Sequence, residues 1–234
     1  MLTIVFEDAH CLAADKPCGL PTQGPEHGPD TLEALVRRHL GVGVDRPADA
    51  YLGTVHRLDR PVSGVVLWAK TPKAARRLAA QFAARTVRKE YWAIVERPTS
   101  PVPEVWDDFI GPLDPSGRAH QVGPDDRGAR RAFTRVRAVE VAGLAPGRSL
   151  LVLRPETGRT HQLRVQASAR GMPILGDARY GSALCWPSGI ALHARSLAVE
   201  HPATRRPIAF EADPPAVWAA EGVEVARVAA ISRS

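Results

Sequence analysis

The sequence predicts an α+β fold organised around a largely antiparallel sheet. Three observations carry that expectation. Strand-like segments outnumber helical ones, their connections are too short for repeated helical crossovers, and no repeat, low-complexity tract or linker interrupts the 234 residues. A chain of this length makes one large domain or two small ones and buries most of its apolar surface without staples.

Taken in order, Leu2 to Phe6 and Cys11 to Ala14 read as two short strands joined by a turn at Glu7-Asp8. Gly19 to Pro29 is a Gly- and Pro-rich loop. Asp30 opens a helix, with Glu33 in the capping-box relation, an apolar stripe of Leu32, Leu35, Val36 and Leu40, and Gly41-Val42-Gly43 at its end. Val65 to Ala69 is a buried strand. Thr71 followed by Pro72 starts a helix running to Arg85, with Ala75, Leu78, Ala79 and Phe82 on one face. Val87 to Val95 alternates as a half-buried strand, Lys89, Tyr91, Ala93 and Val95 facing one way and Glu90, Trp92 and Ile94 the other. Residues 97–130 break the pattern, with a short strand near Phe109-Ile110 in a mobile basic surface carrying Arg118, Arg127, Arg130 and the adjoining Arg131. Further strands are expected at Ala132–Val141, Ser149–Leu153, Ala191–Val199 and Pro207–Ala212. Helices are expected at Thr160–Arg170 and Pro215–Ala220.

Composition narrows the function. Hydrophobic content of 44% and charged content of 24% are those of an ordinary globular protein. Three cysteines (Cys11, Cys18 and Cys185) do not make a disulfide framework, and no CxxC pair occurs, so a reducing compartment is expected. The N-terminus is not a signal peptide and no apolar run approaches membrane-spanning length, which points to the cytoplasm and away from a membrane partner. The net charge of +6, with four lysines among 31 basic residues, favours an anionic partner; guanidinium forks suit phosphates and bases, although genome composition alone can produce such a bias.

Two dense polar stretches are candidates for chemistry. In His56-Arg57-Leu58-Asp59-Arg60-Pro61-Val62-Ser63-Gly64, Asp59 lies between two arginines that favour its ionised form. On these residues alone the turn reads equally as a structural ion pair or as an active carboxylate. In Arg154 to Arg164 a Gly-containing turn leads into a helix start, where Arg154, Arg159, Thr160, His161 and Arg164 could grip an anion, with His161 and Arg164 on one helical face. A metal site from His56, Asp59, His161 and His193 lacks any HxxxH or HExxH spacing, so no metal is expected. Neither a nucleophile elbow around Ser63 nor a phosphate-binding glycine motif occurs, so no nucleotide cofactor is expected.

The residues 56–64 resemble the HRLDxxTSG motif of RluA-type pseudouridine synthases. Asp15-Lys16-Pro17-Cys18-Gly19-Leu20 is similar to the family's NKPxGL segment, Lys89 to Val95 to its KxYxAxV strand, and Pro155 to Val165 to PxTGRxHQLR. Pro173 to Gly181 resembles PIxGDxxYG, and Leu192-His193-Ala194 with His201-Pro202 the closing LHA…HP pattern. The resemblance implies isomerisation of uridine to pseudouridine in rRNA or tRNA, without metal or cofactor. It also implies a central, mostly antiparallel sheet in two halves with a catalytic cleft between them, flanked by helices. It carries the nucleophile onto Asp59, the base-stacking, proton-transferring tyrosine onto Tyr91, and the carboxylate's arginine partner onto Arg164. Arg57 matches the arginine that takes the place of the flipped base, and His56, Arg60, Lys89, Arg159 and His161 are expected to join it in holding RNA. A single catalytic domain over residues 1–234, without a separate S4-type RNA-binding domain and acting as a monomer, is expected. Val62 departs from the motif's Thr, and Glu96-Arg97 from the small residue or glycine after the tyrosine strand. Two other readings are an RNA-binding protein or chaperone of this fold without activity, and a glycosidase. The latter needs a second carboxylate near Asp59, and Asp177 reads instead as a loop cap.

Overall fold

The computed structural model describes residues 2–24, 30–41, 51–98, 101–141 and 143–233, with residues 231–233 described by their backbone. The chain opens with the hairpin β1 (Thr3–Glu7) and β2 (Cys11–Lys16), then helix α1 (Leu32–His39). The short β3 (Gly53–Thr54) precedes β4 (Ser63–Ala69), helix α2 (Pro72–Ala83) and β5 (Arg88–Glu96). Next come β6 (Val105–Ile110), β7 (Gln121–Val122), β8 (Arg130–Val139), β9 (Arg148–Pro155) and helix α3 (Gln162–Ala169). The chain closes with β10 (Leu192–Glu200), β11 (Pro207–Glu211), α4 (Val217–Ala220) and α5 (Val225–Arg233). This is the expected α+β class, rich in strands with few helices. None of the described helices is long and apolar enough to cross a membrane.

The described residues fall into two compact units, Met1–Arg88 with Ala194–Asp213 and Lys89–His193 with Pro214–Ser234. In the first, strands lie in the order β1-β2-β4-β10, with β3 on β4 and β11 on β10. The β2–β4 ladder is antiparallel from Cys11 opposite Ala69 to Lys16 opposite Gly64. Its core joins Ala13, Val65, Leu67, Leu197, Val199 and Phe210 to Ala74 and Leu78 from α2. Helix α2 starts as predicted: Thr71 Oγ1 accepts the Ala74 N–H at 3.1 Å, with Pro72 in the first turn. Helix α1 corrects the expectation by one residue. Its cap is Thr31, whose Oγ1 accepts from Ala34 N, and Glu33 instead pairs with Arg37 one turn on. Part of the expected Gly19–Pro29 loop and the expected stop at Val42-Gly43 lie outside the described residues.

In the second unit the order is β5-β9-β8-β6-β7, every neighbouring pair antiparallel. Burial alternates along β6 and β8: Trp106, Asp108, Ala132, Thr134 and Val136 are buried, while Asp107, Arg131, Arg135 and Arg137 are exposed. Strand β5 is not half-buried throughout; from Trp92 to Glu96 both its faces are covered. Residues 101–130 are better organised than the sequence suggests. Strands β6 and β7 form a hairpin closed around Asp114, whose Oδ1 accepts from Ser116 N, Ser116 Oγ and Arg118 N. Short polar side chains organise such a turn through bonds to nearby N–H groups, a signal that apolar periodicity does not carry.

Candidate active site

In the first unit, the Asp59 turn is closed by the Val62 N–H donating to Asp59 O at 3.1 Å. Val62, in place of the motif's Thr, is 3% exposed and packs into the interior, so a backbone bond supports the turn without a hydroxyl at that position. Residues 16–22 cradle the same turn. Thr22 Oγ1 donates to Leu58 O at 2.8 Å and accepts from Leu58 N at 3.1 Å. Gly19 N donates to Arg60 O, and Arg60 Nε returns a bond to Gly19 O at 2.8 Å. Beneath them lies Lys16, wholly buried, its ammonium donating to the carbonyls of Pro17, Leu20 and Arg60 at 2.9, 2.9 and 3.1 Å. Burial pushes the Lys16 ammonium down to about 8, while the negative charges of Cys18, Asp59 and Asp15 pull it back up. Lys16 thus places a fixed cation near Asp59, a role the sequence reading did not assign. The signal was a lysine at the end of a strand whose first four residues are apolar.

Gly64 explains the glycine at the motif's end. With φ +112, it lies where an added Cβ would fall 2.2 Å from the carbonyl oxygen of Ala194, so only glycine lets β4 and β10 approach this closely. His56 stacks on Phe82 with ring centroids 5.0 Å apart, and its Nε2 accepts the Leu67 N–H at 2.9 Å. Arg57 and Arg60 are exposed, and Asp59 is half-buried.

In the second unit, strand register places Tyr91 and α3 on one side of the sheet. Tyr91 lies opposite Leu153, and Leu153 opposite Val136. Thr134, two residues along from Val136, donates its Oγ1 proton to Gln166 Oε1 on α3 at 2.7 Å. The opposite face carries Arg154, bonded to Glu90, so Arg154 does not share the side of Arg164 and the expected five-residue anion grip is divided. Lys89 Nζ donates to Thr157 O at 2.9 Å, and Arg159 Nε to Arg131 O at 3.0 Å. His161 lies outside the helix, at the N-cap of α3, with a left-handed φ of 54. The helical spacing of three therefore does not relate it to Arg164. The two meet instead at the ring of Tyr180: Arg164 stacks at 4.8 Å from its centroid, and His161 Nδ1 lies 2.8 Å from its hydroxyl.

Asp177, read from sequence as a loop cap, is the bidentate partner of Arg164. Its two oxygens take Nε and Nη2 at 2.6 and 2.8 Å, and both side chains are almost fully buried. A planar fork on a carboxylate fixes the guanidinium in direction as well as position. The Glu96-Arg97 departure is also accommodated. Arg97 has φ 49, the conformation in which glycine is favoured, and the buried Glu96 carboxylate is bonded by Ser182 Oγ.

Another cluster, Asp8, Cys11 and His201, brings three ligand-type atoms within 4.8 Å of one another. Hydrogen bonds close it. His201 Nδ1 accepts from Ala203 N and Thr204 N, so Nε2 carries the proton toward Asp8 Oδ2, 2.9 Å away. Burial, with Asp8 adding to it, pushes the Cys11 thiol up to about 12. A metal would need the thiolate and an open ring nitrogen, and the donor set offers neither readily.

The fold, set against solved structures, defines the class. A human RNA pseudouridylate synthase domain-containing protein, number 4 of its series, aligns with a TM-score of 0.72 and 26% identity over 94% of this chain and 91% of its own. The sequence pattern of the RNA pseudouridylate synthases matches residues 10–169, and the chain belongs to that family, as an isomerase of the RluA type. An uncharacterized RNA pseudouridine synthase of Zymomonas mobilis is 39% identical, with 91% of this chain and 93% of the relative covered. The dual-specificity RNA pseudouridine synthase RluA of Escherichia coli is 36% identical, with 90% and 92% covered.

Proposed function

We propose that this enzyme isomerises specific uridines of rRNA or tRNA in the cytoplasm, as a monomer, with Asp59 as nucleophile acting on a base flipped out of its stack. The observation that carries the reading is the pre-set Arg164: a guanidinium locked by Asp177 on the sheet face that also bears Tyr91. Asp59 attacks C1′ of the ribose, or removes a C2′ proton, as the N1–C1′ bond breaks. The uracil turns while held, C5 bonds to C1′ as the Asp59–C1′ bond breaks or, on the other route, as C2′ regains its proton, the C5 proton leaves to solvent, and N1 takes up a proton. Tyr91 stacks on the base and carries that proton, and Arg164 and Lys16 keep the carboxylate environment positive. Extruding the base costs a few kcal/mol, which contacts to the RNA backbone offset. Arg57 fills the vacated place in the RNA stack, while Arg60, Lys89, Arg159 and His161 hold the backbone and His56 anchors the segment that presents Arg57.

RNA carrying tritium at C5 of uridine tests the reading. Wild-type enzyme is expected to release tritium as pseudouridine forms, whereas Asp59→Asn retains RNA binding and releases none. Equal release by the two proteins would remove Asp59 from the chemistry.

A further inference from the structure

The stretch from Arg60 to Lys89 contains no aspartate or glutamate, yet carries Arg60, Lys70, Lys73, Arg76, Arg77, Arg85, Arg88 and Lys89. Lys73, Arg76 and Arg77 lie along one side of α2, and Arg85 and Arg88 follow its last turn. Lys73, Arg76, Arg85 and Arg88 are exposed. The other side of α2 belongs to the core, where Ala74 and Leu78 are buried with Val65 and Leu67, and Ala75 and Phe82 pack beside them. Helix chemistry does not account for the cations. Lys73 stands in the first turn, where the helix dipole disfavours positive charge and no acidic residue offsets it. No glutamate stands one turn away, as Glu33 does for Arg37 in α1. Arg77 Nη1 donates to Pro202 O, and among the described residues Lys73, Arg76, Arg85 and Arg88 make no ion pair. By contrast, Arg38 is neutralised by Asp30 and Lys70 by Glu7. Arg85 also holds a left-handed φ of 58 where glycine is favoured, closing α2 with its N–H on Phe82 O and the Thr86 N–H on Gln81 O. Such strain is retained where a particular side chain is needed.

We propose that the outer side of α2, from Lys73 to Arg88, is a second RNA-binding surface that grips the phosphate backbone of the RNA carrying the target uridine. From Lys73 to Arg85 the chain covers about 18 Å at about 1.5 Å per residue, a length over which duplex RNA presents on the order of ten phosphate charges. The surface adjoins the candidate nucleophile, because Phe82 of α2 stacks on His56, three residues before Asp59, with ring centroids 5.0 Å apart. Contacts of this kind position a nucleic acid without reading its sequence. A membrane surface does not fit, since the apolar side of α2 is used within the core and none is left to enter a bilayer. The proposal rests on the reading of the protein as an RNA-modifying enzyme, but its test measures binding apart from catalysis.

Fluorescence anisotropy with a labelled RNA stem-loop bearing uridines in its loop, repeated from about 0.05 to about 0.5 M salt, gives the affinity and its salt slope. The triple variant Lys73→Gln/Arg76→Gln/Arg85→Gln is expected to bind on the order of 100-fold more weakly at about 0.15 M salt, with the log–log slope flattened by about 2–3. Arg76→Gln alone should flatten it by about one. All three side chains are exposed, so the melting temperature should match wild type. Arg37→Gln/Arg38→Gln/Lys70→Gln removes the same charge from neutralised positions and should flatten the slope by less than about one. Single-turnover pseudouridine formation at saturating RNA should be unchanged in the α2 variant. Wild-type affinity and slope in the α2 variant, an equal loss in the control variant, or wild-type protein that does not bind the stem-loop would overturn the proposal. So would capture of the wild type by phosphatidylserine vesicles, lost in the α2 variant while RNA binding stays intact. A wild type that binds RNA but forms no pseudouridine, with the slope change as expected, would remove the functional reading and leave the surface standing.

Discussion

Replacing Asp177 with Asn puts the central structural claim about Arg164 at risk. The side chains of the pair are 6% and 2% exposed and are joined by two bonds of 2.6 and 2.8 Å. At an effective dielectric of about 20, two such charges attract by about 4 kcal/mol. Neutralising the carboxylate removes the bidentate counter-charge from a buried guanidinium, a change that costs about 3–5 kcal/mol. Domain stabilities are about 5–15 kcal/mol in all, so the loss is a large share of the total. Arg164→Met should cost a similar amount, because it strands the carboxylate and removes the stacking on Tyr180. The double variant should lose much less than the sum, with a coupling of about 2–3 kcal/mol. Guanidinium chloride unfolding followed by tryptophan fluorescence measures this directly. Trp92, Trp106, Trp186 and Trp218 all lie in the unit that holds the pair. A single-variant cost below about 1 kcal/mol, or strictly additive losses at constant m-value, would refute the buried pair.

Three further outcomes are expected. Burial pushes the Asp15 carboxyl up to about 6, with Asp213 adding to the rise and Lys16 opposing it. The folded state therefore binds the proton more tightly than the unfolded chain between about pH 4 and 6, and stability falls as pH rises through that window. Asp15→Asn should be about 1–2 kcal/mol more stable than wild type at pH 7 and equal to it below pH 4, and a pH-independent difference in denaturation midpoint would contradict this. Gly64→Ala, which drives a Cβ into the Ala194 carbonyl, should cost more than about 3 kcal/mol, while Gly171→Ala, at φ 69 with open space around it, should cost about 1 kcal/mol; comparable melting temperatures would refute the close approach. Lys16→Met orphans three carbonyls and should cost at least about 3 kcal/mol, with faster hydrogen exchange at Gly19, whose N–H bonds Arg60; unchanged exchange there would show that the cradle does not depend on Lys16.

The α+β class, the strands from β4 to β11 other than β7 within a few residues, and both ends of α2 followed from local chemistry that is written in the chain. Alternating burial, a Thr-Pro helix start and a helix ended by Gly171 depend on residues close in sequence. The motifs around Asp59, Tyr91 and Arg164 were legible for the same reason, as short runs of unusual residue types. The Asp114 hairpin was not legible, because side-chain bonds to backbone amides hold it rather than an apolar period.

What only the tertiary structure decided is who partners whom among the polar residues. Asp177 and Arg164 are thirteen residues apart, Tyr180 and Ala119 sixty-one, and Lys16 and Arg60 forty-four. A loop aspartate looks the same in sequence whether it caps a turn or clamps a buried guanidinium. The difference appears only when burial removes water as the alternative partner and makes an exact match obligatory. By itself the sequence named the candidate residues; the fold determined that Lys16 and Thr22 brace the Asp59 turn and that Asp177 and Tyr180 flank Arg164.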